Sequence, residues 1–127
     1  MARSSFEELR VYQLSENLAD EVWRIVLGWE PMARRTVGEQ LVRAADSIGA
    51  NIAEGEGRGS YQDNRRFVKI ARGSLKETQH FLRRAFCRSL LSPEQIASLK
   101  SKTDALAPML NAYLNSIGPS HPQSQNN

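Results

Sequence analysis

Gln40-Leu41-Val42-Arg43-Ala44-Ala45-Asp46-Ser47-Ile48-Gly49-Ala50-Asn51-Ile52-Ala53-Glu54-Gly55-Glu56-Gly57-Arg58 is the stretch whose reading decides the fold. Leu41, Ala44, Ala45, Ile48 and Ile52, with Val37 before them, recur as one apolar helical face. A polar shoulder runs beside that face. Arg43, Ser47, Asn51 and Glu54 follow at steps of four, four and three, so they share one side of the helix. Small polar residues next to a core seam imply fixed hydrogen bonds to a neighbouring helix, because a buried polar group without a partner is costly. Gly55, Gly57 and Gly59 break the pattern and predict a turn with a demanding backbone. A phosphate-cradling loop would need Lys-Ser/Thr after the glycines and a strand before them, and the sequence has neither.

Three further helical patterns flank this one. The first runs from about Phe6 to Leu27, with a capping-box start at Ser5 and Glu8. Its stripe is Val11, Leu14, Leu18, Val22, Ile25 and Trp29, and Gly28 and Pro31 mark its end. The second, the stretch quoted above, begins near Thr36 with Glu39 as box partner. The third starts at Ser60 or Asp63 and reaches about Leu90, roughly 40–45 Å at helical rise. The fourth opens on Ser92-Pro93-Glu94-Gln95, which joins an N-cap, a first-turn proline and a box glutamine. Ile96, Leu99, Leu106, Met109, Leu110, Tyr113, Leu114 and Ile117 carry its stripe, and Pro108 predicts a kink or break. Short connections between amphipathic helices favour antiparallel neighbours. The expected fold is therefore all-α: an up-down-up-down four-helix bundle over residues 1–118. The polar tail, residues 119–127, is expected to be disordered.

The chain has 127 residues, 40% hydrophobic and 24% charged, which suits one packed domain. No apolar run approaches the ~20 residues of a membrane span, and the charged N-terminus does not read as a signal peptide. The expected setting is the cytoplasm. Cys87 is the only cysteine, which excludes an intrachain disulfide and a thiolate metal cluster. His80 and His121 are far apart, and no Glu-x-x-His motif of a di-metal bundle is present, so neither metal nor cofactor is expected.

The net charge of +3 hides an asymmetry. Residues 1–30 hold three basic and six acidic side chains, and residues 60–92 hold eight basic and two acidic. On the third helix Arg65, Lys69, Arg72, Lys76, His80 and Arg83 form a narrow stripe, which Arg66, Arg84 and Arg88 widen. Phe67, Ala71, Ser74, Thr78, Phe81 and Ala85 lie nearly opposite. Arg65, Lys69, Arg72, Lys76 and Arg83 are the candidate nucleic-acid contacts, since such a face tracks a phosphate backbone. The alternative is a solvated face or a set of ion pairs. Tyr12, Glu16 and Trp23 are the candidate oligomer contacts on the first helix, where large aromatics sit off the core stripe. Arg43, Ser47, Asn51 and Glu54 with Ser74 and Glu77 form the candidate structural polar network. No nucleophile–base pair is present, so no catalytic residue is named and the chain reads as a non-enzyme.

The chain also resembles a bacterial helical-bundle family that includes proteins encoded within intervening sequences of 23S ribosomal RNA genes. More remotely, it is similar to accessory proteins of diversity-generating retroelements. The residues that carry the resemblance are Phe6-Glu7-Glu8-Leu9 with Val11-Tyr12, Gln40-Leu41-Val42-Arg43-Ala44 through Ser47-Ile48, and Asn51-Ile52-Ala53-Glu54-Gly55. Gly57-Arg58, Phe67, Ile70-Ala71-Arg72-Gly73-Ser74 and Glu77 continue it, and it spans about residues 6–117. The resemblance implies a left-handed bundle in a ring-like homo-oligomer, a homopentamer. It adds that retroelement accessory proteins look like basic barrels that bind nucleic acid and a reverse transcriptase. Pro108 departs from the pattern. Together these readings give an oligomeric bundle that binds RNA or structured nucleic acid through its third helix. A protein-interaction scaffold with intersubunit ion pairs and no nucleic-acid role is the alternative.

Overall fold

The structure is a computed structural model that describes residues 6–119. Four long helices carry the fold: α1 (Arg10–Leu27), α2 (Glu39–Glu56), α3 (Tyr61–Cys87) and α4 (Pro93–Ser116). There is no strand among the described residues. Each helix packs on two of the others. α1 does not touch α3 and α2 does not touch α4, so the four close a cycle around one core. Leu18, Val22, Leu41, Ile48, Ile52, Val68, Leu75, Leu99, Leu106 and Leu110 are essentially sealed from water. Each such side chain contributes about 1.5–3 kcal/mol of burial.

The helix ends show local chemistry at work. Ser60 Oγ accepts from Asp63 N and starts α3. Ser92 and Gln95 exchange both bonds of a capping box, with Pro93 in the first turn of α4. α3 stops in a Schellman geometry: Leu90 N donates to Ala85 O at 2.9 Å and Ser89 N to Phe86 O at 3.0 Å. The residue that turns the chain is Ser89 at φ 62°. Trp29 sits in the turn after α1, and its indole N–H donates to Leu90 O at 3.1 Å. One buried ring thereby ties the α1–α2 connection to the α3–α4 connection.

Several boundaries differ from the sequence reading. α1 begins at Arg10, after a short 3-10 turn Phe6–Glu8, and Ser5 of the expected capping box lies outside the described residues. Pro31 opens a new helical run (Pro31–Ala33, then π-helical Arg34–Gly38) that feeds into α2. Thr36 is thus inside a helix and no cap: its hydroxyl donates to Met32 O at 2.7 Å. α3 ends at Cys87, before Leu90, and its core face also includes Val68 and Leu75. Pro108 does not break α4, which runs through it. Residues 120–127 lie outside the described residues. So does His121.

Of the three glycines, Gly55 lies inside α2 and serves a purpose other than the expected turn. Gly57 has an ordinary φ of −81°. Gly55 is buried, and a methyl there would stand 2.7 Å from Asn64 Oδ1 and 2.9 Å from Phe67 Cβ. Close approach of α2 to α3 is what requires it. Gly49 does the same against α1, where a Cβ would meet Ser15 Oγ at 3.0 Å.

Two substitutions test this. Gly55→Ala should destabilise by about 1–3 kcal/mol through overpacking. Ser89→Gly should stabilise by about 0.5–1 kcal/mol, because glycine removes the left-handed strain and returns only part of it as chain entropy. Urea unfolding of each variant reads both signs.

Candidate nucleic-acid interface

α3 is a 27-residue helix. Its length comes from a capped start, no internal proline and a continuous apolar face of Val68, Ala71, Leu75, Thr78 and Ala85. The candidate cations divide into two kinds. Lys69, Lys76 and Arg83 are exposed. Arg65 and Arg72 are partly buried and turned toward α4. Arg65 Nη1 donates to Ile117 O at 2.6 Å, and Arg72 Nη1 to Asn111 Oδ1 at 3.0 Å. The ion pairs among the described residues use Arg43, Arg58, Arg66, Lys100 and Lys102, so none of the five candidates is neutralised by a carboxylate. His80 is exposed and meets Phe81 edge-on at 4.9 Å. At the start of α3 the guanidinium groups of Arg58 and Arg66 both lie over the Phe67 ring, at 4.9 and 4.6 Å. Each also pairs with a carboxylate of its own turn, Glu54 for Arg58 and Asp63 for Arg66.

Among the described residues the expected inter-helix polar network does not form. Ser47 Oγ donates to Ala44 O, and Asn51 Nδ2 donates to Ser47 O at 2.8 Å. Ser74 Oγ bonds Ile70 O and the buried Thr78 Oγ1 bonds Ser74 O. Arg43 pairs with Glu39 and Glu54 with Arg58, while Glu77 is exposed. Every bond made by the set stays on its own helix or its own turn. The physical reason is that short hydroxyl and amide groups reach the carbonyl three or four residues back more readily than a neighbouring helix. A carboxylate that does join two helices is Glu21. It accepts from Lys102 Nζ at 2.8 Å and from Ser98 Oγ at 3.0 Å, tying α1 to α4. The sequence carries no signal for this contact, because no spacing within either helix pairs Glu21 with Lys102.

The oligomer candidates sit on α1. Trp23 is 53% exposed, with Leu27 exposed beside it. Glu16 is exposed, and Tyr12 is partly buried with its ring edge-on to Phe6. Tyr12, Glu16, Asp20 and Asp46 line a small acidic groove of about 220 Å³ between α1 and α2. Burial, then Glu16 and Glu7, raise the Tyr12 hydroxyl above its ordinary value. No group of three metal-ligating side chains comes together among the described residues. Cys87 is a free, exposed thiol, and no helix is long and apolar enough to cross a membrane.

The acidic groove has a readable pH dependence. Partial burial, then Asp20, push the Asp46 carboxyl above its ordinary value of 3.8. Protonated Asp46 therefore favours the fold below that value, and this contribution is lost as pH rises through the folded value. Asp46→Asn should raise the melting temperature at about pH 7 and leave it unchanged at about pH 3. The gain should stay below about 1 kcal/mol, since the groove is open to solvent and salt. Thermal melts of both proteins at the two pH values check the sign.

Comparison with known proteins places this geometry in a family. One solved structure with the same fold comes from Bacteroides thetaiotaomicron VPI-5482, a protein of unknown function from the S23 ribosomal protein family. It superposes with a TM-score of 0.74 at 22% identity, covering 84% of this chain and 96% of that one. No curated protein matches the chain. The profile of the 23S rRNA-intervening sequence protein family matches residues 7–112, across all four long helices. With that span matched and the bundle shared, the chain belongs to the 23S rRNA-intervening sequence protein family.

Proposed function

We propose that this protein is a non-enzymatic, oligomeric bundle that binds RNA or structured nucleic acid through the exposed face of α3. The carrying observation is that Lys69, Lys76 and Arg83 share one face of a long helix with no carboxylate partner among the described residues. Uncompensated cations in a row attract a polyanion, and neutralised phosphates release counterions. Arg65 and Arg72 contribute positive potential while their α4 bonds hold the stripe in place. The match to a family named for a ribosomal RNA gene is in keeping with this reading.

The proposal includes an up-down-up-down, left-handed course, a cytoplasmic setting and assembly into a homopentamer. Contacts that support the antiparallel course are Gly49 against Ser15 and Arg65 against Ile117. Assembly through Tyr12, Glu16 and Trp23 would cover the exposed indole and repeat the basic face around an axis, raising avidity. A second reading, a scaffold held by intersubunit ion pairs, is favoured by the acidic groove beside Tyr12, which is opposite in charge to the exposed face of α3.

The double reversal Lys69→Glu with Lys76→Glu separates the two, because neither side chain holds α3 to α4. Nucleic-acid affinity should fall steeply with salt in the native protein. The variant should bind weakly to all sequences alike, since phosphate contacts carry no base information. Filter binding beside size-exclusion chromatography with light scattering reads both. An intact oligomer with unchanged, salt-insensitive binding overturns the nucleic-acid reading. Collapse of the oligomer supports the scaffold, and a native monomer at micromolar concentration overturns the assembly.

A further inference from the structure

Val68 and Leu75 lie on the side of α3 that is sealed in the core. Phe86 follows eleven residues after Leu75, so it continues the same side of the helix. Yet it is 53% exposed, a large apolar ring at the end of a core face. Beside it an open groove of about 400 Å³ lies between α3 and α4, walled by Leu82, Phe86, Leu91 and Ile96. Gln79 also lines it and makes no hydrogen bond among the described residues, so its amide keeps both a donor and an acceptor free. Arg83, the last cation of the exposed stripe, lies on the same groove. Lys100 and Asp104 complete the charged lining and pair with each other at 2.9 Å, which leaves Arg83 as the uncompensated charge.

We propose that this groove takes an unpaired nucleobase, and that the substrate class of the basic face is therefore single-stranded RNA or DNA. The inference rests on the nucleic-acid reading of α3 and narrows it. An exposed aromatic ring in an apolar wall stacks a base irrespective of its identity. A free amide meets the donor and acceptor edge that an unstacked base displays. Arg83 on the groove, with Lys76 and Lys69 farther back along the same face of α3, follows the phosphates of the same strand. A duplex satisfies only the last of these requirements, because its bases are already stacked and paired.

The test uses the full chain and two labelled probes of equal length: a single-stranded oligoadenosine carrying 2-aminopurine, and the corresponding duplex. Phe86→Ala should weaken the single strand about tenfold, in line with loss of one base stack, and leave the duplex within about twofold. The salt slope of single-strand binding should stay unchanged, because no phosphate contact is removed. The 2-aminopurine emission change seen with native protein should disappear. Phe86→Leu, which keeps apolar volume, should behave like Phe86→Ala in binding and like the native chain in thermal unfolding. If Phe86→Ala binds both probes normally while Lys69→Glu/Lys76→Glu binds neither, the groove inference fails and the nucleic-acid reading stands. If the native chain binds neither probe, both fail. A native preference for duplex overturns the inference, and so does loss of the oligomer on Phe86→Ala, which would assign the groove to a second copy.

Discussion

Close approach of α2 to its two neighbours is the constraint on which the rest of the bundle depends. Gly49 brings α2 against α1, and Gly55 brings it against α3. Beside them the seam is Ile48 and Ile52, with Ala44 and Ala45 one turn before Ile48. Small residues let backbones approach, and the larger aliphatics then fill the space that remains. α2–α3 is the most extensive helix pair in the molecule, and α3 buries the small residues Ala71, Ser74 and Thr78. The two buried hydroxyls carry no inter-helix duty. Each donates to a carbonyl of its own helix, which leaves the facing surface effectively apolar. A polar-looking sequence can therefore pack like an alanine seam.

That packing fixes what α3 can present. With one side of α3 committed to α2 and another to α4, the side that carries Lys69, Lys76 and Arg83 has only solvent to face. Arg65 and Arg72 border that side and lean onto α4, where a carbonyl and an amide oxygen receive them. The guanidinium fork suits such anchoring because it spreads several donors over one plane, whereas a lysine offers a single mobile ammonium. Residue type thus sorts the stripe into fixed and free cations. The free ones carry most of the proposed phosphate contact, and the fixed ones hold the helix that displays them.

Much of the fold was legible from periodicity. Every residue of the α2 seam expected from the sequence is buried, and the capping box and first-turn proline of α4 stand where the residues place them. What was not legible depended on contacts between distant parts of the chain. Val68 and Leu75 were missed because the polar stripe drew the expected core to one arc of α3, while α4 covers a second arc. Gly55 resembled a turn residue because glycine near a helix end usually is one; only the position of Asn64 and Phe67 shows otherwise. The shoulder of α2 resembled an inter-helix network because side-chain reach is invisible in spacing. For the proposed site, the row of cations was plain in the sequence, whereas their division into free and tethered was not. Phe86 did carry a signal, since its spacing from Val68 and Leu75 assigns it to a core face.

The separation of charge along the chain acquires its meaning from the packing. The N-terminal 30 residues are net acidic and residues 60–92 are net basic. Had α1 and α3 been neighbours, these charges could neutralise each other across one groove. They are not neighbours, and among the described residues the α1 carboxylate that finds an ammonium, Glu21, finds it on α4. At physiological ionic strength the field of an exposed charge fades over about 8 Å, less than the thickness of the helices that separate the two surfaces. The acidic groove at Tyr12 and Glu16 and the basic face of α3 are thus electrostatically independent within a single chain. Each remains free to meet its complement outside the subunit. On the proposed reading a nucleic acid is one such complement for α3, and on the scaffold alternative the groove of a second subunit is the other. The two would compete for the same cations, so the free lysines of α3, and not its anchored arginines, would decide between them.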